Sequence, residues 1–105
     1  MTWVALFAAS LCEVVWALAL KQSKGFTVLW ASVVFVIGLV LSMALLAYAL
    51  RSLPVGTAYA IWTGTGAVGT ALVAIVALGE SAAWSRIAAI GLIAAGIVWL
   101  SFSEA

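Results

Sequence analysis

Glu13 is the residue whose type and position most suggest chemistry. It lies inside an apolar run, residues 2–20, eleven residues after Thr2 and eight before Lys21. An ionised carboxylate at that depth of a bilayer costs on the order of 2–3 kcal/mol to insert. The sequence contains no His, and Lys and Arg are confined to the ends of apolar runs. A buried acid without a counter-ion is typical of an ion or proton pathway; a carboxyl group that only bonds to a neighbouring helix is the structural alternative.

The residues one helical turn from Glu13 add hydrogen-bonding and aromatic groups. Side chains three or four positions apart share a helix face, which places four residues beside the carboxylate: Ala9, Ser10, Trp16 and Ala17. The alanines leave room around it, Ser10 can donate a hydrogen bond, and Trp16 offers an indole N–H and a flat π-face. This face is therefore a candidate binding surface.

Two later segments contribute groups of the same kind. Ser42 lies within the second apolar run, and Tyr59, Trp62 and Thr63 share one face of the third by their spacing. A carboxylate supplies charge and accepts hydrogen bonds, and aromatic rings attract cations through their π-faces. These groups predict a site for a small cation, although Tyr59 and Trp62 are equally well placed for an aromatic belt. A carboxylate that binds either a proton or a cation can exchange one for the other across a membrane.

A cluster of glycines follows Trp62 in the third run, at Gly64, Gly66 and Gly69. Glycines in membrane helices permit kinks and also close helix packing. The functional interpretation is a hinge that switches the protein between inward-open and outward-open states, and the structural one is helix contact. The sequence leaves both open.

The composition requires membrane-spanning helices to position these residues. Of 105 residues, 69% are apolar and 7% are charged, whereas soluble domains are roughly 25% charged. Polar segments divide the chain into four apolar runs, 2–20, 28–50, 56–78 and 84–102, close to the roughly 20 helical residues that cross a bilayer. Pro54 falls at a boundary, where a helix can begin but not continue. Because no run shows barrel-like alternation, we predict an all-α integral membrane fold, one four-helix transmembrane domain over residues 1–105.

Several classes of function are excluded by the same composition. A net charge of +1 leaves no basic patch for phosphates, so we expect no nucleic-acid partner. The single Cys12 allows neither an intrachain disulfide nor a cysteine metal cluster, and we expect no metal and no cofactor. The first run exceeds a signal-peptide core of roughly 7–15 residues. The polar segments are too short for a soluble catalytic module, so the chain is not predicted to be an enzyme.

Orientation signals in the sequence are weak. Three of the four Lys and Arg residues fall on one side of the predicted bundle and Arg51 falls on the other, a small bias for the positive-inside rule. This charge count permits insertion in both orientations. Four helices are too few to enclose a substrate cavity, so we expect a homo-oligomer. Ala89 and Gly96, seven positions apart on one face of the fourth run, are small enough for close helix contact.

Three segments resemble the small multidrug resistance family of four-helix exporters. They are residues 13–21 (EVVWALALK), 24–27 (KGFT) and 53–64 (LPVGTAYAIWTG), and the resemblance extends over nearly the whole chain. Trp16 after the glutamate and the sequence Trp62-Thr63-Gly64 are similar to the guanidinium-exporter branch. The polyaromatic-cation branch has a small residue at the position of Trp16.

The resemblance implies a multi-pass protein of the bacterial inner (cell) membrane. It implies an antiparallel, dual-topology homodimer that exchanges protons for guanidinium and small substituted guanidinium ions by alternating access. Glu13 of each subunit is implied to bind substrate or protons, in a pocket lined by Trp16, Ser42, Tyr59 and Trp62. The glycines of the third helix are the implied hinge, and the fourth helix is the implied dimer contact.

Two positions depart from the family pattern. Ser10 stands where the guanidinium branch usually has glycine, which puts hydrogen bonding to Glu13 and substrate choice in question. Ala89 replaces a glycine common in the family's helix-four contact. Two other functions stay open: a broader exporter of quaternary ammonium compounds, and a structural membrane subunit in which Glu13 bonds to a partner helix.

Overall fold

Four α-helices make up most of the structure, a computed structural model that describes residues 1–103. They are α1 (Thr2–Gln22), α2 (Leu29–Ala49), α3 (Val55–Ala77) and α4 (Trp84–Ser103). Each is long and apolar enough to cross a membrane, because about 20 residues at 1.5 Å each match a 30 Å hydrocarbon core. The predicted all-α membrane fold is confirmed. Helix ends fall within two residues of the predicted spans.

The connections between helices are short and locally stabilised. Ser23 Oγ donates to the carbonyl of Leu20 at 2.6 Å and accepts from the amide of Phe26 at 3.2 Å. Gly25, between these residues, has a positive φ of 73°, a conformation that glycine adopts without steric cost. Pro54 is extended, with φ −57° and ψ 142°, and α3 begins at the next residue. The chain therefore reverses direction at the positions that the polar segments predicted.

The centre of the molecule is α1. It packs against both α2 and α3, and within the described residues α4 packs against α3 alone. The resulting layer of helices is 17 Å across in its thinnest dimension. A core forms where α1, α2 and α3 meet, built from Leu6, Ala9, Leu46, Ala49, Ala58, Ile61 and Trp62. Glu13 lies on α1 one turn beyond this core.

Candidate functional site

Glu13 projects from α1 towards α3, where its side chain meets Gly66. Gly66 is buried, and a β-carbon built on it would lie 2.9 Å from Glu13 Cγ and would overlap the carboxyl group itself. The absence of a side chain at position 66 therefore provides the space that the Glu13 carboxyl group occupies.

Three buried polar side-chain atoms in residues 1–103 have no hydrogen-bond partner: Glu13 Oε1, Trp16 Nε1 and Thr65 Oγ1. Buried polar groups are usually paired, because an unpaired one costs about 1–3 kcal/mol. The one ion pair in this part of the chain joins Arg86 to Glu80, not to Glu13. A carboxyl group with an unpaired buried oxygen and no fixed counter-ion suits a ligand that brings positive charge and N–H donors.

A cavity of about 350 Å³ lies between α1 and α3, and Glu13 forms part of its wall. Small side chains of α3, Ala67 among them, line the same space, and so does Thr70. Three charged residues line it as well: Lys21, Glu80 and Arg86. No group of three His, Cys, Asp or Glu residues that could hold a metal ion occurs within the described chain. The cavity therefore combines carboxyl and hydroxyl groups with two basic side chains, beside apolar walls.

Ser42 and Trp62, both predicted for the pocket, are bonded to each other. Ser42 Oγ accepts a hydrogen bond from Trp62 Nε1 at 2.9 Å and donates one to the carbonyl of Ala9 at 2.7 Å. Ser42 is fully buried and Trp62 is 5% exposed. The Ser42 hydroxyl thus connects α1, α2 and α3 beside the core. The Ser42 O–H and the Trp62 N–H each donate a hydrogen bond within the protein.

Trp16 faces α2 rather than α3. Its β-carbon packs against Gly38, where an added β-carbon would lie 3.0 Å away, and its ring meets Phe35 edge-on with centroids 5.8 Å apart. The ring is thus held between α1 and α2, while its N–H is one of the unpaired buried groups.

Tyr59 and Thr63 lie on the exposed side of α3. Tyr59 is 56% exposed and Thr63 is also exposed, whereas Trp62, predicted on the same face, is buried. The rings of Tyr59 and Trp62 are in contact, with centroids 5.6 Å apart. In the single chain Tyr59 and Thr63 are therefore placed beside the Trp62 ring, facing outward.

Ser10 differs from the predicted arrangement. Its hydroxyl, expected to donate to Glu13, donates to the carbonyl of Leu6 one turn earlier at 3.1 Å. Serine in a helix commonly bonds to its own backbone in this way when no stronger acceptor is aligned. Ser10 is fully buried and does not line the cavity with Glu13.

A family model described as Small Multidrug Resistance protein matches residues 1–93. The chain belongs to the small multidrug resistance family. A guanidinium exporter of Yersinia pseudotuberculosis is 53% identical over 104 residues, 99% of this chain and 100% of that protein. A guanidinium exporter of Citrobacter freundii is 52% identical over 103 residues, 98% of each chain. One of Salmonella typhimurium is 53% identical over the same length and coverage.

The small multidrug resistance family is a family of transporters, and these full-length relatives are named as exporters. The relatives are bacterial proteins and the chain has four membrane-spanning helices. It is therefore a multi-pass protein of the bacterial inner membrane. The resemblance to the guanidinium-exporter branch is confirmed by these relatives, which match over nearly the full length of both chains.

The three glycines of α3 make close contacts with two different helices. A β-carbon at Gly64 would lie 2.8 Å from Ile97 of α4, and one at Gly69 would lie 2.7 Å from Val14 of α1. Gly66, between them, meets Glu13. Helix α3 runs unbroken from Val55 to Ala77. The structure thus shows the packing role, while the hinge role of these glycines stays a prediction.

Both residues predicted for the dimer contact are exposed. Ala89 and Gly96 lie on α4, which contributes no buried residue over Trp84–Ser103, and a β-carbon at Gly96 would meet nothing within 4 Å. Within the single chain this face of α4 is available for contact with another helix in the bilayer.

The sequence interpretation missed four residues that line the cavity or carry an unpaired buried group. Thr65 carries an unpaired buried hydroxyl, and Thr70 lines the cavity with Glu13. Thr70 is four residues after Gly66, so helical spacing would have placed it on the same face once Gly66 was known to face Glu13. Glu80 and Arg86, which the sequence places just outside or at the end of an apolar run, also line the cavity.

Ser42→Ala is expected to lower the stability of the protein by about 1–3 kcal/mol, because it leaves the buried N–H of Trp62 without an acceptor. The measurement is the midpoint of thermal unfolding in detergent. Ser32→Ala is the matched control on the same helix, since Ser32 Oγ donates only to the carbonyl of Val28 at 2.8 Å; it should change stability by less than about 0.5 kcal/mol. Equal midpoints for the two variants would contradict a bridging role for Ser42.

Proposed function

We propose that this protein exports guanidinium and small substituted guanidinium ions in exchange for protons. The observation that carries the proposal is the Glu13 carboxyl group, which lines a cavity, has a buried unpaired oxygen and forms no ion pair with any side chain in residues 1–103. The names of its full-length relatives support the choice of substrate. The protein then acts as a transporter and not as an enzyme.

Guanidinium fits the chemistry of this carboxyl group. The ion is planar and presents parallel N–H donors that a carboxylate can accept in a bidentate manner. The rings of Trp16, Tyr59 and Trp62 do not line the Glu13 cavity in the single chain. In the proposed dimer they would supply aromatic faces to the pocket, and such faces attract planar cations. A site built on hydrogen bonds discriminates against cations that lack N–H donors, because the carboxylate would be left partly unpaired.

Exchange follows from the single carboxyl group serving two ligands. When Glu13 carries a proton it is neutral and offers no charge to a cation, and when it binds the cation it has no proton to release. A protein that opens to one side at a time can therefore move a proton one way only by moving a cation the other way. The α3 glycines, Gly64, Gly66 and Gly69, are the proposed hinge for this alternation.

A homodimer completes the proposal. The exposed α4 face with Ala89 and Gly96 gives a second copy a surface for helix contact, with small residues that allow close approach. The weak asymmetry of Lys and Arg permits the two copies to insert in opposite orientations. Two Glu13 carboxyl groups would then serve one substrate pathway.

Purified protein in liposomes tests the proposal. With the interior more acidic than the exterior, we expect uptake of radiolabelled guanidinium above its equilibrium level, driven by protons leaving the vesicle. A protonophore should abolish the accumulation, and tetramethylammonium should be taken up poorly. Guanidinium uptake that is absent, or that ignores the gradient, would overturn the proposal.

Guanidinium binding is expected to weaken as pH falls, because a protonated Glu13 cannot pair with the cation. For displacement of one proton the apparent dissociation constant rises by up to roughly tenfold per pH unit. Equilibrium binding of guanidinium to the purified protein, measured at a series of pH values from roughly 5 to 8, checks this. A parallel series at fixed pH and varied salt separates proton competition from ionic screening. An affinity that does not change with pH would rule out shared occupancy of one carboxyl group.

A further inference from the structure

A second carboxyl group lines the cavity that Glu13 lines. Glu80 follows α3 in the connection to α4, and its side chain forms part of the same wall. Lys21, eight residues after Glu13 on α1, also lines the cavity, so the space extends about 12 Å along α1 at 1.5 Å per residue. A cation that leaves Glu13 through this cavity therefore passes close to Glu80 before it reaches the membrane surface.

Glu80 already binds a guanidinium group, that of Arg86. Arg86 Nη2 donates to Glu80 Oε1 at 2.5 Å, and Arg86 Nη1 donates to the carbonyl of Ser81 at 3.1 Å. The arginine head is a planar carbon with nitrogen substituents, chemically the same group as the guanidinium ion. Acceptors arranged for one therefore suit the other. The connection between α3 and α4 thus contains a guanidinium-binding site that a residue of the same chain occupies.

The ion pair is open enough to exchange with a free cation. The side chains of Glu80 and Arg86 each remain 35% exposed. Ion pairs with this exposure contribute little to stability, because water and salt screen them and both side chains lose freedom. A cation arriving at the mouth of the cavity can therefore replace the Arg86 head without disturbing the helices.

We infer that Glu80 is a second guanidinium-binding carboxylate at the mouth of the Glu13 cavity, and that Arg86 competes with the transported cation for it. This inference rests on the proposed function, since both carboxylates bind the same class of cation. Glu80 attracts the cation to the cavity, and Arg86 displaces it again. The competition keeps the time that a cation spends at the mouth short, so that the carboxylate guides the ion without retaining it.

Binding of guanidinium chloride at millimolar concentration to the full-length protein in lipid nanodiscs tests the second site. Glu13→Gln should bind guanidinium weakly or not at all. Adding Arg86→Gln to this variant frees Glu80, and we expect binding up to about fivefold tighter than in Glu13→Gln alone, because the exposed ion pair that competes contributes about 1 kcal/mol or less. Adding Glu80→Gln as a third change should remove it. No gain in the double variant, or a gain that survives Glu80→Gln, overturns the inference.

Transport kinetics give a readout that a purely structural ion pair would not move. Arg86→Gln should lower the KM for guanidinium and the maximal rate together, each severalfold, because the cation is held at Glu80. Glu80→Gln should raise KM, because the unpaired Arg86 repels the cation. Arg51→Gln is the control: Arg51 lies at the other end of the bundle, 5.9 Å from the Tyr48 ring centre, and should leave KM unchanged. A KM equal to that of the wild-type protein in both Arg86→Gln and Glu80→Gln overturns the inference.

The proposed function and the second binding site at Glu80 would be contradicted by different results. Wild-type transport of guanidinium with unchanged KM in the Glu80 and Arg86 variants would leave the proposed function standing and remove the second site. Guanidinium binding at Glu80 without any proton-driven uptake by the wild-type protein would contradict the proposed function and leave the second site in place.

Discussion

Proteoliposomes that carry Glu13→Gln are expected to show no proton-driven guanidinium uptake, a loss of at least about a hundredfold relative to the wild-type protein. Glutamine has nearly the size of glutamate, so the space beside Gly66 stays filled. The amide, however, can neither hold the negative charge that binds the cation nor carry the exchanged proton. Both halves of the transport cycle are therefore lost together. Initial uptake rates under an imposed pH gradient provide the measurement.

A second substitution at the same position serves as the control. Glu13→Asp keeps the ionisable group but withdraws it by one methylene from α3, so we expect slower uptake that still depends on the gradient. The unfolding midpoint of Glu13→Gln should equal or exceed that of the wild-type protein, because an uncharged group costs less to bury in a membrane. Gradient-driven uptake by Glu13→Gln near the wild-type rate would eliminate the carboxylate mechanism.

The helices were predictable because bilayer thickness fixes their length. Of the seven charged residues, Glu13 alone lies deep within an apolar run, so Lys21, Arg51 and Arg86 mark the boundaries directly. Pro54 adds a boundary for a different reason, since its ring fits at the first turn of a helix and not inside one. The confirmed fold class therefore follows from the polar segments that separate the apolar runs and from the length of helix that crosses a bilayer.

The faces by which the helices meet were much less predictable. In a soluble helix the apolar stripe identifies the buried side, but lipid solvates apolar side chains as well as a protein interior does. The outward-facing Leu92, 75% exposed, and the fully buried Ile61 therefore look alike in the sequence. No sequence pattern indicates the order of the helices, in which α1 is central and, among the described residues, α4 packs against α3 alone.

In the site, too, the sequence identifies the functional side chains but not the partners to which they bond. Glu13 was identifiable because an acid in an apolar run is costly, and Ser42 because a hydroxyl there seeks a partner. The sequence does not show that Ser42 bonds to Trp62 and Ala9, or that Ser10 bonds to its own helix. These choices depend on distances between helices, which are set by packing and not by spacing along the chain. Glu80 and Arg86 were overlooked because charged residues in a connection or in the first turn of a helix are solvated by default.

The position of the carboxyl group depends on α3 as much as on α1. Gly66 lets the backbone of α3 approach Glu13 closely, and Gly69 does the same for Val14 one turn further on. These contacts set the wall of the cavity against which the carboxyl group lies. A carboxylate on a flexible side chain thus acquires a defined position from the residue it faces.

Gly66→Ala is therefore expected to reduce guanidinium transport by roughly tenfold to a hundredfold, the range typical of a misplaced reacting group. The added methyl would occupy the place of the Glu13 carboxyl group. That group is the free end of a flexible side chain, so it can rotate away at little cost and the helices can keep their packing. We expect a folded protein whose unfolding midpoint changes little but whose guanidinium affinity and uptake rate both fall.

Gly56→Ala is the matched control on the same helix, because a β-carbon there would meet nothing within 4 Å. It makes the same chemical change without meeting Glu13, and it should transport guanidinium at the wild-type rate. A hinge role for Gly66 would slow transport in Gly66→Ala while leaving equilibrium binding of guanidinium intact. Weakened binding in Gly66→Ala, measured beside unchanged binding in Gly56→Ala, thus assigns the loss to the displaced carboxyl group. Unaltered affinity in both variants would show that Glu13 does not need the space beside Gly66.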